Sequence, residues 1–328
     1  MLSRTADHLF WMARYTERAE NSARMLDVNM QTSLLPQSAS SAELMWRGML
    51  GISELQAQYD ARHDKLTPQN VLDFMVRDPR NPSSIYSCLQ GARENARAVR
   101  GTLTTEVWET MNTTWLDLRK RLKERAPERD PAQFFEWVKY RSHLSRGVMI
   151  GTMIKDEGFY FARLGTFLER GDNTARILDV KYHALAEQGM VDVDRADAEV
   201  DEGITHYMDF YHWAAILRSV SAFEVYRKVY SDVITPARVA ELLILRADMP
   251  RSLANCMDEV MINLEQVRNG HSSETERRVG MLRGDLRYGR IDDILQTGLH
   301  AYLTNFLARI NDLGGRISRD FLVPFALR

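Results

Sequence analysis

Apolar side chains recur every three or four residues along almost the whole chain, the spacing that places them on one face of an α-helix. Strand-like alternation is missing, and the one Asn-Gly pair, Asn269-Gly270, lies between two helical patterns. Prolines such as Pro68 and Pro236 stand near expected helix starts, where a missing N–H costs no hydrogen bond. The pattern predicts an all-α protein with about twelve helices. They are expected at 4–33, 41–60, 68–77, 82–101, 105–125, 131–153, 158–188, 204–229, 236–247, 250–268, 273–288 and 291–321.

The first and seventh of these helices carry the same segment. Residues 17–28 read ERAENSARMLDV and residues 169–180 read ERGDNTARILDV, so eight of twelve positions are identical at an offset of 152. Such self-similarity is the signature of an internal repeat, and the remaining differences are conservative.

The match continues along the chain in the same order. Trp46 pairs with Trp213 at an offset of 167, and Cys88 pairs with Cys256 at an offset of 168. The change of offset corresponds to one insertion, the acidic stretch around 191–203. We therefore predict two six-helix halves, 1–153 and 154–328, related by a pseudo-two-fold axis and sharing one core.

The repeated helix carries a polar stripe whose residue identities are kept between the copies. At 100° per residue, its members share one helix face, and Arg18 and Arg170 lie at the edge of that face. In the first copy they are Arg14, Glu17, Glu20, Asn21, Arg24 and Asp27. In the second copy they are Glu169, Asp172, Asn173, Arg176 and Asp179. A solvated face would keep polarity but not identity, so the stripes are expected to have specific partners.

Two interpretations of the stripes are open. They form a buried ion-pair network that joins the two helices, or they line a polar cleft in which Arg24 and Arg176 bind an anionic group. In the cleft, Glu17 or Glu169 would be the candidate catalytic acid or base, and a carboxylate with a raised pKa would support that role. A purely structural scaffold would instead keep both stripes self-paired and closed to solvent.

Composition restricts the classes of function. A net charge of −2 gives no basic face for nucleic acid, so we expect no nucleic-acid binding. The chain contains no run of 18 or more apolar residues, the length that would cross a membrane. The N-terminus lacks the apolar core of a secretory signal, and both features favour the cytoplasm. The two cysteines cannot build a disulfide framework, and their matched helical positions favour packing over nucleophilic chemistry.

The sequence also lacks motifs for binding metals or cofactors. None of the eight histidines follows a glutamate at the Glu-x-x-His spacing of helical di-iron sites. The chain has no glycine-rich phosphate loop, no Gly-x-Ser-x-Gly elbow and no His-Glu-x-x-His motif. We therefore expect neither a metal nor a cofactor.

Five segments resemble one family, the bacterial Alpha-E domain family, named for its helical content and its Glu-Arg motif. They are residues 2–4, 11–21, 92–97, 108–112 and 250–253. The likeness extends over essentially the whole chain. It adds Arg93, Glu94, Asn95 and Arg251 to the candidate binding residues, and Arg251 has only Ser83 at its matched position in the first half.

The resemblance implies a domain without an established activity. It also implies a setting beside circularly permuted ATP-grasp ligases and transglutaminase-like proteins, and hence a part in amide-bond formation or protein modification. That setting favours an accessory binding module, with an enzyme and a scaffold as the alternatives.

Overall fold

The computed structural model describes residues 1–33, 39–187 and 212–322. Within these ranges all regular structure is helical and no strand is present, which confirms the all-α class. The acidic stretch at 191–203 lies outside the described residues.

Each expected half contributes eight α-helices in the described ranges. The first set is α1 (Ser3–Ser33), α2 (Ala39–Ile52), α3 (Gln56–Asp60), α4 (Pro68–Val76), α5 (Ile85–Ala98), α6 (Thr105–Lys123), α7 (Ala126–Arg129) and α8 (Pro131–Thr152). The second set is α9 (Glu157–Glu187), α10 (212–219), α11 (Phe223–Tyr230), α12 (Pro236–Ile244), α13 (Leu253–Gln266), α14 (Ser273–Tyr288), α15 (Ile291–Thr297) and α16 (Leu299–Ile317). A 3₁₀ turn follows α5 at Arg100–Thr102, and a π-helical turn, Ser318–Leu322, follows α16.

The expectation of about twelve helices was too low because left-handed residues interrupt several of the predicted helices. Glu54 has a φ of 54° between α2 and α3, and Gly298 has a φ of 97° between α15 and α16. Ser221, at the position matched to Glu54, has a φ of 55° between α10 and α11. A residue in this region cannot continue a right-handed helix, so each one divides a single periodic pattern into two helices.

Side-chain caps set several helix starts where the repeat predicts them. The hydroxyl oxygens of Thr67 and Thr235 each accept a hydrogen bond from the backbone N–H three residues later, and a proline follows each threonine. Ser84 and Ser252 cap α5 and α13 in the same way. These caps satisfy backbone donors that a helix start leaves unpaired.

The long helices α1 and α9 lie side by side at the centre of the fold. Helix α1 also packs on α5 and α8, and α9 also packs on α13 and α16. One cluster of buried apolar side chains contains residues of both expected halves, for example Leu26 and Leu178. Superposition of the two halves, with Glu17 on Glu169 and Cys88 on Cys256, stays a prediction of the repeat.

Gly165 allows α9 to lie directly against the backbone of α1. A Cβ atom built at this glycine would lie 2.2 Å from the backbone oxygen of Phe10 and 3.3 Å from Cγ of Arg14. Because a backbone oxygen cannot move aside as a flexible side chain can, any larger residue must push the two central helices apart.

We therefore expect Gly165→Ala to lower the free energy of unfolding by about 1–3 kcal/mol, the usual cost of overpacking. Urea denaturation followed by circular dichroism measures the change. Gly280→Ala is the matched control, since Gly280 lies within α14 and nothing lies within 4 Å of an added Cβ there. The control should be neutral or stabilising by about 0.5–1 kcal/mol. Equal effects of the two substitutions would contradict the close approach.

Candidate functional site

Two reciprocal ion pairs join α1 to α9. The Glu17 carboxylate accepts hydrogen bonds from Nε and Nη2 of Arg170, at 2.9 and 3.0 Å. The Glu169 carboxylate accepts from Nε and Nη2 of Arg18, at 2.6 and 3.1 Å. The glutamate of each repeated Glu-Arg pair therefore accepts from the arginine of the other pair. Both interactions are bidentate, the strongest arrangement for these groups.

Through Nε, Arg24 and Arg176 each bind a carboxylate of their own helix, and neither binds a carboxylate of the other central helix. Arg24 Nε donates to Glu20 at 2.8 Å, and Arg176 Nε donates to Asp172 at 2.8 Å. The stripe predicted pairing between the helices, but it placed Arg18 and Arg170 only at the edge. In the structure, Arg18 and Arg170 are the arginines that pair with the glutamates of the opposite central helix.

We call the residues around Glu17 and Glu20 the closed cluster. It comprises Glu17, Glu20, Arg24, Arg146, Arg170 and Arg251. Arg251, at the start of α13, donates from Nη1 to Glu17 and to Oδ1 of Asn21, both at 3.0 Å, and from Nη2 to Glu20. Both carboxylates are almost fully buried, with exposed fractions of 1% for Glu17 and 0% for Glu20.

The closed cluster keeps its carboxylates ionised. Burial alone would raise the pKa of the Glu17 carboxyl, but the guanidinium groups around it outweigh burial and lower the pKa to about 2. For the same reasons the pKa of Glu20 lies well below its usual range. A carboxyl with so low a pKa does not hold a proton at neutral pH, so neither group fits a general acid.

We call the corresponding residues around Glu169 and Asp172 the open cluster. It comprises Arg14, Arg18, Glu54, Glu169, Asp172 and Arg176. Arg14 donates from Nε to Glu169 at 2.7 Å, so this carboxylate is held by two arginines of α1. Arg176 Nη1 donates to Glu54, whose side chain is 73% exposed.

A cleft of about 320 Å³ opens beside the open cluster, and we call it the open cleft. It is lined by Arg14, Arg18, Asn21, Ser22, Met25, Ile52, Ser53, Glu54, Leu55, Gln58, Pro82, Ser83, Glu169, Asp172, Asn173, Arg176 and Asn311. Burial raises the pKa of Asp172, although the paired Arg176 works against it. Burial also opposes ionisation of Glu169, but the positive charges of Arg14 and Arg18 lower its pKa below the ordinary value.

Contacts in the two clusters follow the repeat offsets. Arg24 Nη1 donates to the hydroxyl of Ser221, and Arg176 Nη1 donates to Glu54, the residue matched to Ser221. Ser221 and Glu54 are both left-handed, so each presents its side chain from a helix break to the arginine of the other half. The clusters are therefore comparable position by position, and their differences can be stated residue by residue.

With this geometry established, the comparisons with known proteins identify the family. Residues 1–322 match the Alpha-E family, described as a predicted α-helical domain with a conserved Glu-Arg motif. The chain belongs to the Alpha-E family. Uncharacterised proteins of Mycobacterium bovis and Mycobacterium tuberculosis are 25% identical over 342 aligned residues, covering 94% of this chain. This Alpha-E chain spans only about a third of the length of those relatives, and no solved structure is significantly similar to it.

Several candidate residues of the Alpha-E stripes lie outside both clusters. Asp27 accepts from Nζ of Lys139 at 2.8 Å, and Asp179 contacts Nδ1 of His300 at 2.7 Å. Both acids lie farther along the helices than the glutamates. They form separate interhelical contacts, so the stripe is divided between at least two environments.

The α5 candidates also lie elsewhere. Arg93 donates from Nε to Asn112 of α6 at 3.2 Å and forms an ion pair with the neighbouring Glu94. Asn95 contacts Nδ1 of His8 at 2.8 Å. The structure therefore connects α5 to α6 and α1 through these residues and does not bring them to the open cleft.

Three residues that matter here were not among the candidate site residues predicted from the sequence. Arg146 of α8 donates to Glu17 at 2.8 Å, and Glu54 and Ser83 line the open cleft. A search for residues shared by two copies cannot find them, because each differs from its matched residue. The pairing of Arg251 with Ser83 was the available signal.

Both cysteines of the Alpha-E chain are free and buried. Burial raises the pKa of each thiol to about 12, which leaves the thiolate unpopulated at neutral pH and fits a packing role. Within the described ranges, no group of three His, Cys, Asp or Glu is arranged to hold a metal. No described helix is both long and apolar enough to cross a membrane.

Arg251→Met should destabilise the protein by about 3–5 kcal/mol, because it leaves two buried carboxylates short of a partner. Chemical denaturation measures the loss. Arg246→Met is the control: Arg246 lies in the same loop, and its ion pair with Asp248 is exposed. An exposed pair contributes at most about 1 kcal/mol, so a similar loss from both substitutions would contradict the network.

The closed cluster also predicts loss of stability in acid. The pKa of Glu17 falls from 4.5 to about 2 on folding, so its contribution is complete above pH 4.5 and is lost as the pH falls toward 2. A shift of this size corresponds to roughly 3 kcal/mol. Unfolding free energies measured from pH 6 to pH 2 should therefore fall, and the fall should be smaller in Glu17→Gln. An unchanged slope in that variant would contradict the low pKa.

Proposed function

We propose that this Alpha-E chain is a cytoplasmic, non-catalytic binding module that serves an amide-bond-forming or protein-modifying system linked to an ATP-grasp ligase. The observation that carries the proposal is the contrast between the two clusters. One has its carboxylates fully occupied by arginines, and the other lines a polar cleft open to solvent. A cleft with a few convergent polar groups is the usual form of a binding site.

Two further findings support a role within a larger assembly. The mycobacterial relatives are about three times as long as this chain and contain a matching segment, so the Alpha-E unit occurs there joined to other sequence. The resemblance that the sequence shows to the family also implies neighbouring ATP-grasp and transglutaminase-like proteins. A module without its own reaction would act by presenting a ligand to such a partner.

Under the enzymatic alternative, the candidate catalytic residue is no longer Glu17 or Glu169. Glu17 and Glu169 both have lowered pKa values, which favours neither the acid role nor the base role considered for them. Asp172 has the raised pKa and lies in the open cleft, so a catalytic function would depend on this carboxyl. The scaffold alternative fits the closed cluster alone, because a scaffold gives no reason for the open cleft.

Affinity capture of the tagged protein from its native host tests the proposal. We expect an ATP-grasp-type protein to co-purify, and the pair should then elute together in size exclusion and produce heat in calorimetry. Arg47→Ala, which removes an exposed pair with Glu43 on α2 and changes no residue of either cluster, should leave capture unchanged. Separate elution of the two purified proteins without measurable heat would contradict the accessory role.

A further inference from the structure

The sequence match places the open cleft at the position that corresponds to Arg251 of the closed cluster. Arg251 binds Glu17, Glu20 and Asn21 through its guanidinium group. Offsets of 152 and 168 match these four residues to Glu169, Asp172, Asn173 and Ser83. All four matched residues line the open cleft. The cleft therefore brings together the matched partners of Arg251 without an arginine at the matched position, where Ser83 stands.

Charge favours a cation in the vacated place. The closed cluster holds four guanidinium groups against two carboxylates, whereas the open cluster holds three guanidinium groups against three carboxylates. The additional acid is Glu54, at the position where the closed side has Ser221. The open cluster thus has one positive charge fewer and one negative charge more, and it can accept the cation that the closed cluster already contains.

An anion would meet a less favourable environment. Arg14 and Arg18 both donate to Glu169, and Arg176 donates to Asp172 and Glu54. Each guanidinium group already has a carboxylate partner, so a bound anion would have to compete with that partner for the same donors. Breaking a partly buried ion pair costs free energy, and a bound anion would have to recover that cost through a stronger contact with the same arginine.

Asn21 supplies an observation that favours a ligand with a hydrogen-bond acceptor. Its Oδ1 atom accepts from Arg251, which fixes the orientation of the amide because an arginine can only donate. The Nδ2 atom is buried and has no hydrogen-bond partner among the described residues, and Asn21 lines the open cleft. An unpaired buried donor costs roughly 1–3 kcal/mol, and a carbonyl oxygen of a bound chain would satisfy it.

We propose that the open cleft binds the guanidinium group of a peptide arginine, placed against Glu169, Asp172 and Asn173 as Arg251 is placed against its own partners. This inference rests on the proposed function in treating the chain as a binding module, and it adds the chemical class of the ligand. The bound segment would carry arginine and supply a backbone carbonyl near Asn21.

The test is calorimetric titration of the intact protein with the peptide acetyl-Gly-Arg-Gly-amide. The same peptide with citrulline keeps the shape but removes the charge and two of the five N–H donors, so its affinity should be lower by about ten-fold or more. A third peptide with glutamate should not bind. Binding of the citrulline peptide with equal affinity, or stronger binding of the glutamate peptide, would overturn the proposal.

Two variants convert the open cleft toward the closed cluster. Ser83→Arg places an arginine at the position matched to Arg251, and we expect it to abolish peptide binding and to raise the melting temperature. Gln90→Arg, which adds an arginine at an exposed position of α5 outside the open cleft, is its control and should bind as the wild type does. Glu54→Ser changes an exposed residue, so it should leave folding intact. It should lower the affinity for the arginine peptide by about three- to ten-fold. Wild-type affinity in a folded Ser83→Arg protein or in Glu54→Ser would overturn the proposal.

Parallel partner capture separates this inference from the proposed function. If the arginine peptide fails to bind while the ATP-grasp-type protein is retained, the ligand class is wrong and the accessory role stands. If the peptide binds with the expected variant profile and no partner is retained, the ligand class stands and the accessory role is wrong.

Discussion

The structure depends on neutralising carboxylates that are buried between its two central helices. Glu17 and Glu169 lie where α1 meets α9, and an isolated ionised carboxylate is costly at such a position. Arg170 of α9 neutralises Glu17 of α1, and Arg18 of α1 neutralises Glu169 of α9. Each helix therefore supplies one acceptor and one donor to the other helix. The close approach at Gly165 brings the helices near enough for these bonds, so packing and electrostatics depend on each other.

Once two similar clusters exist, small differences between them decide which one is open. Arg251 fills one side, and the short side chain of Ser83 leaves space on the other. Arg146 adds a further donor to the closed cluster from α8. Two clusters built on the same repeated segment therefore differ in closure: one is filled by arginine side chains and the other borders a cleft.

Much of the fold and part of the site could be predicted from the sequence. Helical periodicity, capping residues such as Thr67 and Ser84, and the repeated stripe are local signals that need no tertiary information. The helix breaks at Glu54 and Ser221 were missed because neither residue type marks a left-handed position. The pairing of Arg18 and Arg170 was placed only at the edge of the stripe, since the helix phase does not fix how far a long side chain reaches.

The central claim is that the reciprocal Glu-Arg bonds couple α1 to α9, and a double-mutant cycle on Glu169 and Arg18 measures that coupling directly. Unfolding free energies of Glu169→Gln, Arg18→Met and the double variant give the interaction energy, with the exposed pair of Glu43 and Arg47 as reference. The account predicts a coupling of about 2–3 kcal/mol for the buried pair and under about 0.5 kcal/mol for the reference pair. Additive effects at Glu169 and Arg18, within about 0.5 kcal/mol, would contradict it.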